Sequence, residues 1–153
     1  MSDNVSLYGH TLTSLEICAG AGGQALGLEL AGFELEAAVE LDPAACETLR
    51  VNRPAWNVTE ADVREFDGRP FEGIDLLAGG VPCPPFSVAG KQLGQEDERD
   101  LFPEILRLAN ETRPRAIMVE NVRGLLSAKF EGYRREILRE LSDMGYQGEW
   151  KLL

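Results

Sequence analysis

The residues best suited to chemistry lie in a loop of Gly-Gly-Val-Pro-Cys-Pro-Pro-Phe-Ser-Val-Ala-Gly-Lys over residues 79–91. Cys83 follows Pro82 and precedes Pro84 and Pro85. Prolines fix φ and glycines permit tight bends, so such a loop holds one thiol in one place. A free cysteine is most often a small buried hydrophobe. Cys18, in an expected strand, and Cys46, on the inner face of an expected helix, fit that role. Cys83, in a rigid polar loop, reads instead as a nucleophile. A second group is Glu120-Asn121-Val122. Glu120 ends an otherwise apolar run, where a carboxyl is costly unless paired or used, and where burial would keep a proton on it near neutrality. The competing reading of Glu120 is a helix N-cap role shared with Asn121.

A third group is Cys18-Ala19-Gly20-Ala21-Gly22-Gly23, a strand running into a Gly-rich turn and a helix. Glycines let backbone approach a ligand closely, and a helix N-terminus offers free N–H groups. The spacing fits a dinucleotide fingerprint only loosely, and a tight turn in any α/β protein has the same glycines. Glu40, at the end of the next strand, could accept both hydroxyls of a ribose. Asp62 ends a third strand and could accept from an adenine amino group; an ordinary solvated turn carboxylate would look the same.

Elements that alternate between strand and helix must position these groups. Strands are expected at 14–18, 35–40, 57–62, 74–78 and 116–120, with a further strand starting at 149–153. Helices are expected at 22–31, from Asp42-Pro43 onward with Asp as cap and Pro at the first helical position, at 101–111, and at 130–144. The stripe of the third is Leu101, Phe102, Ile105, Leu106 and Leu108. That of the fourth is Phe130, Tyr133, Ile137, Leu141 and Met144, with Gly145 as its stop. The fold class is therefore α/β, a Rossmann-like parallel sheet with helices on both faces. Its ligands sit beyond the carboxyl ends of the strands, where 18–23, 40–42, 62, 79–91 and 120–121 all fall. Residues 1–13 read as a loose N-terminal arm and 14–153 as one domain. An end inside an apparent strand suggests truncation or a remainder on a separate chain.

Composition narrows the function. The 153 residues are 44% hydrophobic and 27% charged, which excludes disorder and a disulfide scaffold. No apolar run approaches the roughly 18 residues of a membrane span, and no secretory signal is evident. Three scattered cysteines and one histidine, His10, suggest reduced thiols in a cytoplasmic protein and no metal site. Fifteen Lys and Arg against 26 Asp and Glu give a net charge of −11. Duplex-binding modules are usually basic, so any nucleic-acid surface must be local or supplied from elsewhere.

Together these motifs resemble the cytosine-5 DNA methyltransferase family, over residues 14–153. The P-C-P-P-F-S loop with a downstream E-N-V is the specific part; Lys91-Gln-Leu-Gly-Gln-Glu-Asp-Glu-Arg99 and Leu101-Phe102 also follow the family pattern. The resemblance implies S-adenosyl-L-methionine as cofactor, held by Ala19, Gly20, Ala21, Gly22, Gly23, Glu40, Leu41, Asp62, Val63, Gly80, Pro82 and Leu101. It implies Cys83 and Glu120 as the catalytic pair, and Pro82, Ser87 and Asn121 on the substrate side. The substrate implied is double-stranded DNA with a flipped cytosine. Two departures stand out. Cys18 replaces an aromatic that would pack on the adenine. The family's downstream Gln-x-Arg-x-Arg motif, target-recognition region and C-terminal cofactor segment are absent from these residues, so a second chain or missing C-terminal region is implied, and the chain alone is expected to be inactive. The other readings are a tRNA cytosine-5 methyltransferase, a non-catalytic methyltransferase-like regulatory subunit, and a nicotinamide-dependent dehydrogenase, which would leave the Pro-Cys-Pro-Pro loop unexplained.

Overall fold

A computed structural model describes residues 10–82 and 100–153. Five strands, β1 (Leu12–Ile17), β2 (Phe33–Glu40), β3 (Val58–Glu60), β4 (Leu76–Gly80) and β5 (Ala116–Glu120), form one sheet in the order β3-β2-β1-β4-β5. All four pairings are parallel. Four α-helices connect them or follow: α1 (Gly23–Leu30), α2 (Pro43–Asn52), α3 (Phe102–Thr112) and α4 (Glu131–Asp143). The order reverses between β1 and β4, and such a switch point opens a crevice above the strand ends.

Alternation along the strands divides the core between two faces. Leu15 and Ile17 of β1, Ala37 and Val39 of β2 and Leu77 of β4 pack with Ile105 and Leu108 of α3 and Ile137 of α4. On the other face, Ala38 packs with Leu49 of α2, while Leu76 and Ala78 pack with Leu28 of α1. The expected helix stripes face the core: Leu101, Phe102, Ile105, Leu108, Phe130 and Ile137 are buried, and Leu106, Tyr133, Leu141 and Met144 are half-buried. Asp42 caps α2 by accepting from the Ala44 N–H at 2.9 Å, with Pro43 in the first turn. Gly145, at φ +94°, follows the end of α4. No helix among the described residues is long and apolar enough to cross a membrane.

Several expected boundaries move. β1 begins at Leu12, inside the expected arm, because Leu12 and Thr13 pair with Phe33 and Glu34 and the Thr13 N–H donates to Asp75 at 2.9 Å. β4 starts two residues later than expected and absorbs Gly79 and Gly80, which pair with Val119 and Glu120 of β5. Cys18 lies just beyond β1, in left-handed backbone at φ +52°. Residues 149–153 are not a strand. Trp150 instead sets its ring 6.1 Å from that of Phe102, and Gly148 presses close to Leu138 of α4, which holds this segment over the helices rather than at the sheet edge.

Candidate active site

The turn after β1 bends through three left-handed residues, Cys18, Gly20 and Gly22. Gly22, at φ +87°, admits no side chain, since a Cβ there would lie 2.5 Å from Leu49 of α2 and 3.1 Å from Trp56. Gly20, at φ +54°, has open space where a Cβ would point. The turn is thus clamped by α2 on one side and open on the other. Glu40 ties it to the end of β2. Its Oε2 accepts from the Gly20 N–H at 2.7 Å, and its Oε1 accepts from the Leu41 and Asp42 N–H groups, both at 2.8 Å. A carboxylate has about four lone-pair sites. Oε1 is filled by these bonds and Oε2 retains one site, so Glu40 positions the loop.

Above the ends of β1 to β4 lies a cavity of about 530 Å³. Its walls bring together Glu40, Leu41, Asp62, Val63, Gly80, Pro82 and Leu101. Ala19, Gly20, Ala21, Gly22 and Gly23 do not line it directly; Cys18, beside them, does. Arg64 also lines it and sequence reasoning missed it. The available signal was its spacing two residues after an acidic residue, which suits a turn closed by both backbone and side chain. Asp62 Oδ1 accepts from the Arg64 N–H at 2.9 Å, and Oδ2 accepts from its guanidinium at 3.1 Å. That backbone bond is the main reason the Asp62 carboxyl titrates below its usual range.

The cysteines separate clearly. Desolvation, with the Glu40 and Asp62 carboxylates adding to it, pushes the Cys18 thiol up to about 12. Burial also raises the Cys46 thiol, whose Sγ donates to the Glu40 carbonyl at 3.4 Å. Both stay protonated near neutrality and are poor nucleophiles. Cys83 and Ser87 lie outside the described residues.

Glu120 is exposed at the end of β5, so the apolar enclosure expected for it is not present among the described residues. Position in the sheet is the reason. β5 is the last strand in the order, and Ala116, Met118 and Glu120 on one of its faces are exposed. Glu120 pairs in register with Gly80, and a Cβ on Gly80 would lie 3.6 Å from Glu120 Oε2. Glycine therefore leaves space beside the carboxylate, next to the entry of the Cys83 loop. Asn121 is not the cap of the following 3₁₀ turn (Arg123–Leu126), which is Val122. Asn121 instead joins two strand ends: its Nδ2 donates to the Val81 carbonyl at 3.4 Å and its Oδ1 accepts from the Val122 N–H at 2.9 Å.

The arrangement offers carboxylate acceptors, Glu40 and Asp62, in a largely apolar cavity that Gly80 and Pro82 also line, with Glu120 paired beside Gly80. Among the described residues no group of three His, Cys, Asp or Glu could hold a metal ion. The family model of the C-5 cytosine-specific DNA methylases matches residues 12–153. The chain is 70% identical over 141 residues to the type II methyltransferase M.NgoMIV of Neisseria gonorrhoeae, covering 92% of this chain and 45% of that one. It is 56% identical over 146 residues to the type II methyltransferase M.NaeI of Lentzea aerocolonigenes, covering 94% and 35%. Among solved structures it resembles a chain described as a candidate DNA modification methyltransferase from an Escherichia coli prophage. That match has a TM-score of 0.72 and 29% identity, over 86% of this chain and 38% of the other. The chain thus spans less than half the length of the relatives it matches, and by its sequence match and its 3-2-1-4-5 sheet it belongs to the C-5 cytosine-specific DNA methylase family.

Proposed function

We propose that this chain is the cofactor-binding and nucleophile-bearing portion of an enzyme that transfers a methyl group from S-adenosyl-L-methionine to C5 of cytosine in DNA. The observation that carries the reading is the cavity above the switch point, which gathers Glu40, Asp62 and Pro82, the residue directly before Cys83. The cavity suits the nucleoside of this cofactor. Two carboxylates with unused acceptor sites would meet hydroxyl and amino donors, apolar Val39, Val63 and Leu101 would meet a ring, and the space over Gly20 admits close approach of a ligand. Glu40 and the 19–23 turn would hold the ribose and amino-acid side, and Asp62 and Val63 the adenine. When bound, the cofactor supplies an electrophilic methyl on a sulfonium.

The chain's own residues prepare the cytosine. A flipped base is needed because a stacked ring is out of reach. The Cys83 thiolate bonds to C6 while Glu120 delivers a proton to N3, so electron density passes to C5, which becomes nucleophilic. After C5 takes the methyl, the C5 proton passes to solvent water, the C6–S bond breaks to release the Cys83 thiolate, and the N3 proton returns to the Glu120 carboxylate, which restores the aromatic ring. The Asn121 bond ties the Glu120 strand end to Val81, two residues before Cys83 in the chain. Pro82 and Ser87 would shape the base side of the site. DNA recognition and turnover need a further region or chain: the net charge of −11 disfavours duplex binding, and the relatives are more than twice as long.

The test is a covalent trap. With 5-fluorocytosine in the duplex, the C5 proton cannot be removed, so the protein supplied with its complementing region and S-adenosyl-L-methionine should form an adduct stable to denaturation. Cys83→Ala should abolish it. An adduct that persists in Cys83→Ala refutes the nucleophile. No adduct in the wild type, with methylated product absent from both DNA and tRNA, favours a regulatory subunit.

A further inference from the structure

The turn that follows β3 owes its position to a residue more than forty positions away. Arg107, on α3, donates from Nη2 to the Val63 carbonyl at 2.8 Å and from Nη1 to the Phe66 carbonyl at 3.1 Å. Two carboxylates of its own helix hold the guanidinium: Glu104 takes Nε at 2.7 Å and Glu111 takes Nη1 at 2.8 Å. Glu111 also grips the turn directly, accepting the Gly68 N–H at 2.8 Å. Gly68 sits so close to α3 that a Cβ would lie 2.8 Å from Leu108 and 2.9 Å from Glu111 Oε2. All three nitrogens of the Arg107 fork are used, and two of its bonds end on backbone carbonyls of the turn, beside the Glu111 bond to Gly68. The planar fork suits this task; an ammonium at the same place could not reach two carbonyls and two carboxylates in fixed geometry.

The same two elements supply two parts of the cavity wall. Asp62, Val63 and Arg64 come from the turn, and Leu101 stands at the N-terminal end of α3. We propose that Arg107 is a positioning residue of the cofactor pocket, tying the turn that presents Asp62 and Val63 to the helix that presents Leu101 so that the two parts of the wall keep one spacing. The assignment rests on the reading of this cavity as the adenosine site.

The experiment uses the full chain and its Arg107→Lys and Glu111→Gln variants. Amide hydrogen exchange is read at residues 64–68, and binding of S-adenosylhomocysteine and S-inosylhomocysteine, which lacks the 6-amino group, is read by calorimetry. In Arg107→Lys the Glu65 and Phe66 amides should exchange about tenfold faster or more, with β1 and α1 unchanged. Affinity for S-adenosylhomocysteine should fall about tenfold, that for the inosyl analogue clearly less, and the loss should vanish in an Asp62→Ala background. Glu111→Gln, which leaves the guanidinium in place but loosens it, should lie between. Unchanged exchange at 64–68, acceleration spread evenly over the chain, or equal losses for the two ligands overturns the proposal. Wild-type chain that binds neither ligand, or Asp62→Ala that binds S-adenosylhomocysteine like wild type, sinks the adenosine reading instead. The exchange measurement then decides for or against the Arg107 tie by itself.

Discussion

In a Glu16→Gln variant, stability relative to wild type should climb as pH rises from about 4 to about 8. Glu16 lies in the middle of β1, paired with Ala38 on one side and Ala78 on the other, and is 1% exposed. Its Oε2 has no hydrogen-bond partner, nor has the Oγ of Ser14 two residues earlier on the same face. Desolvation therefore favours the neutral acid and pushes the carboxyl from its ordinary 4.5 to about 7. A raised acid holds its proton in the folded state where the unfolded chain has released it. The resulting stabilisation is complete below pH 4.5, declines as pH rises, and is lost above about 7. At about 1.4 kcal/mol per pH interval of one, the full effect is about 3 kcal/mol. Glutamine cannot ionise, and its own burial cost does not change with pH, so it cancels from the trend. So do the groups common to both proteins, Asp75 and Glu111 among them. Urea unfolding followed by circular dichroism over this pH range measures the difference directly. A variant-minus-wild-type stability that stays level within about 0.5 kcal/mol would falsify the assignment of a neutral, unpartnered acid to the centre of the sheet.

Three further outcomes are expected. Glu40→Gln turns an amide N–H₂ toward backbone donors that now approach at 2.7 to 2.8 Å, so S-adenosylhomocysteine affinity should fall at least about tenfold by calorimetry; an unchanged Kd contradicts the role given to Glu40. Gly79→Ala places a Cβ 2.7 Å from Ile17 Cγ1 and 3.1 Å from the Ile17 carbonyl, which should cost about 1–3 kcal/mol and lower Tm by several degrees; a wild-type melting curve would show that the strands separate more easily than this packing implies. Asp75 is desolvated, but the Thr13 N–H, Arg115 and His10 outweigh that and lower its carboxyl below the usual range. Asp75→Asn should therefore destabilise by about 1–3 kcal/mol at neutral pH, and the gap should close as pH falls below about 4, where wild type loses the same charge; a deficit that stays constant through acid titration rules out a charge-based contribution.

Legibility followed the range of the interactions. The Asp42-Pro43 start of α2, the Gly145 stop after α4, the bounds of β5 and the stripes of α3 and α4 were readable because caps, stops and periodicity act over a few residues. The 149–153 strand failed because a strand requires a partner, and Trp150 found Phe102 instead. Glu120 was expected in apolar surroundings because its own strand is apolar, yet a residue's burial depends on what covers the strand, and β5 stands at the end of the order.

By itself the sequence determined the α/β class, the family, and the placing of residues 18–23, 40–42, 62 and 120–121 at the carboxyl ends of strands. It did so because loop composition and strand–helix alternation are local properties, and the Pro-Cys-Pro-Pro loop with its Glu-Asn-Val partner is specific. Only the tertiary structure decided which side chains meet. It set Glu40 on the Gly20 amide, left Glu16 unpartnered between two alanines, and fastened the 62–68 turn to Arg107. Partners such as Val63 and Arg107, or Thr13 and Asp75, are separated by more than forty residues in sequence. Their contact arises from strand order and helix placement, which no local pattern encodes.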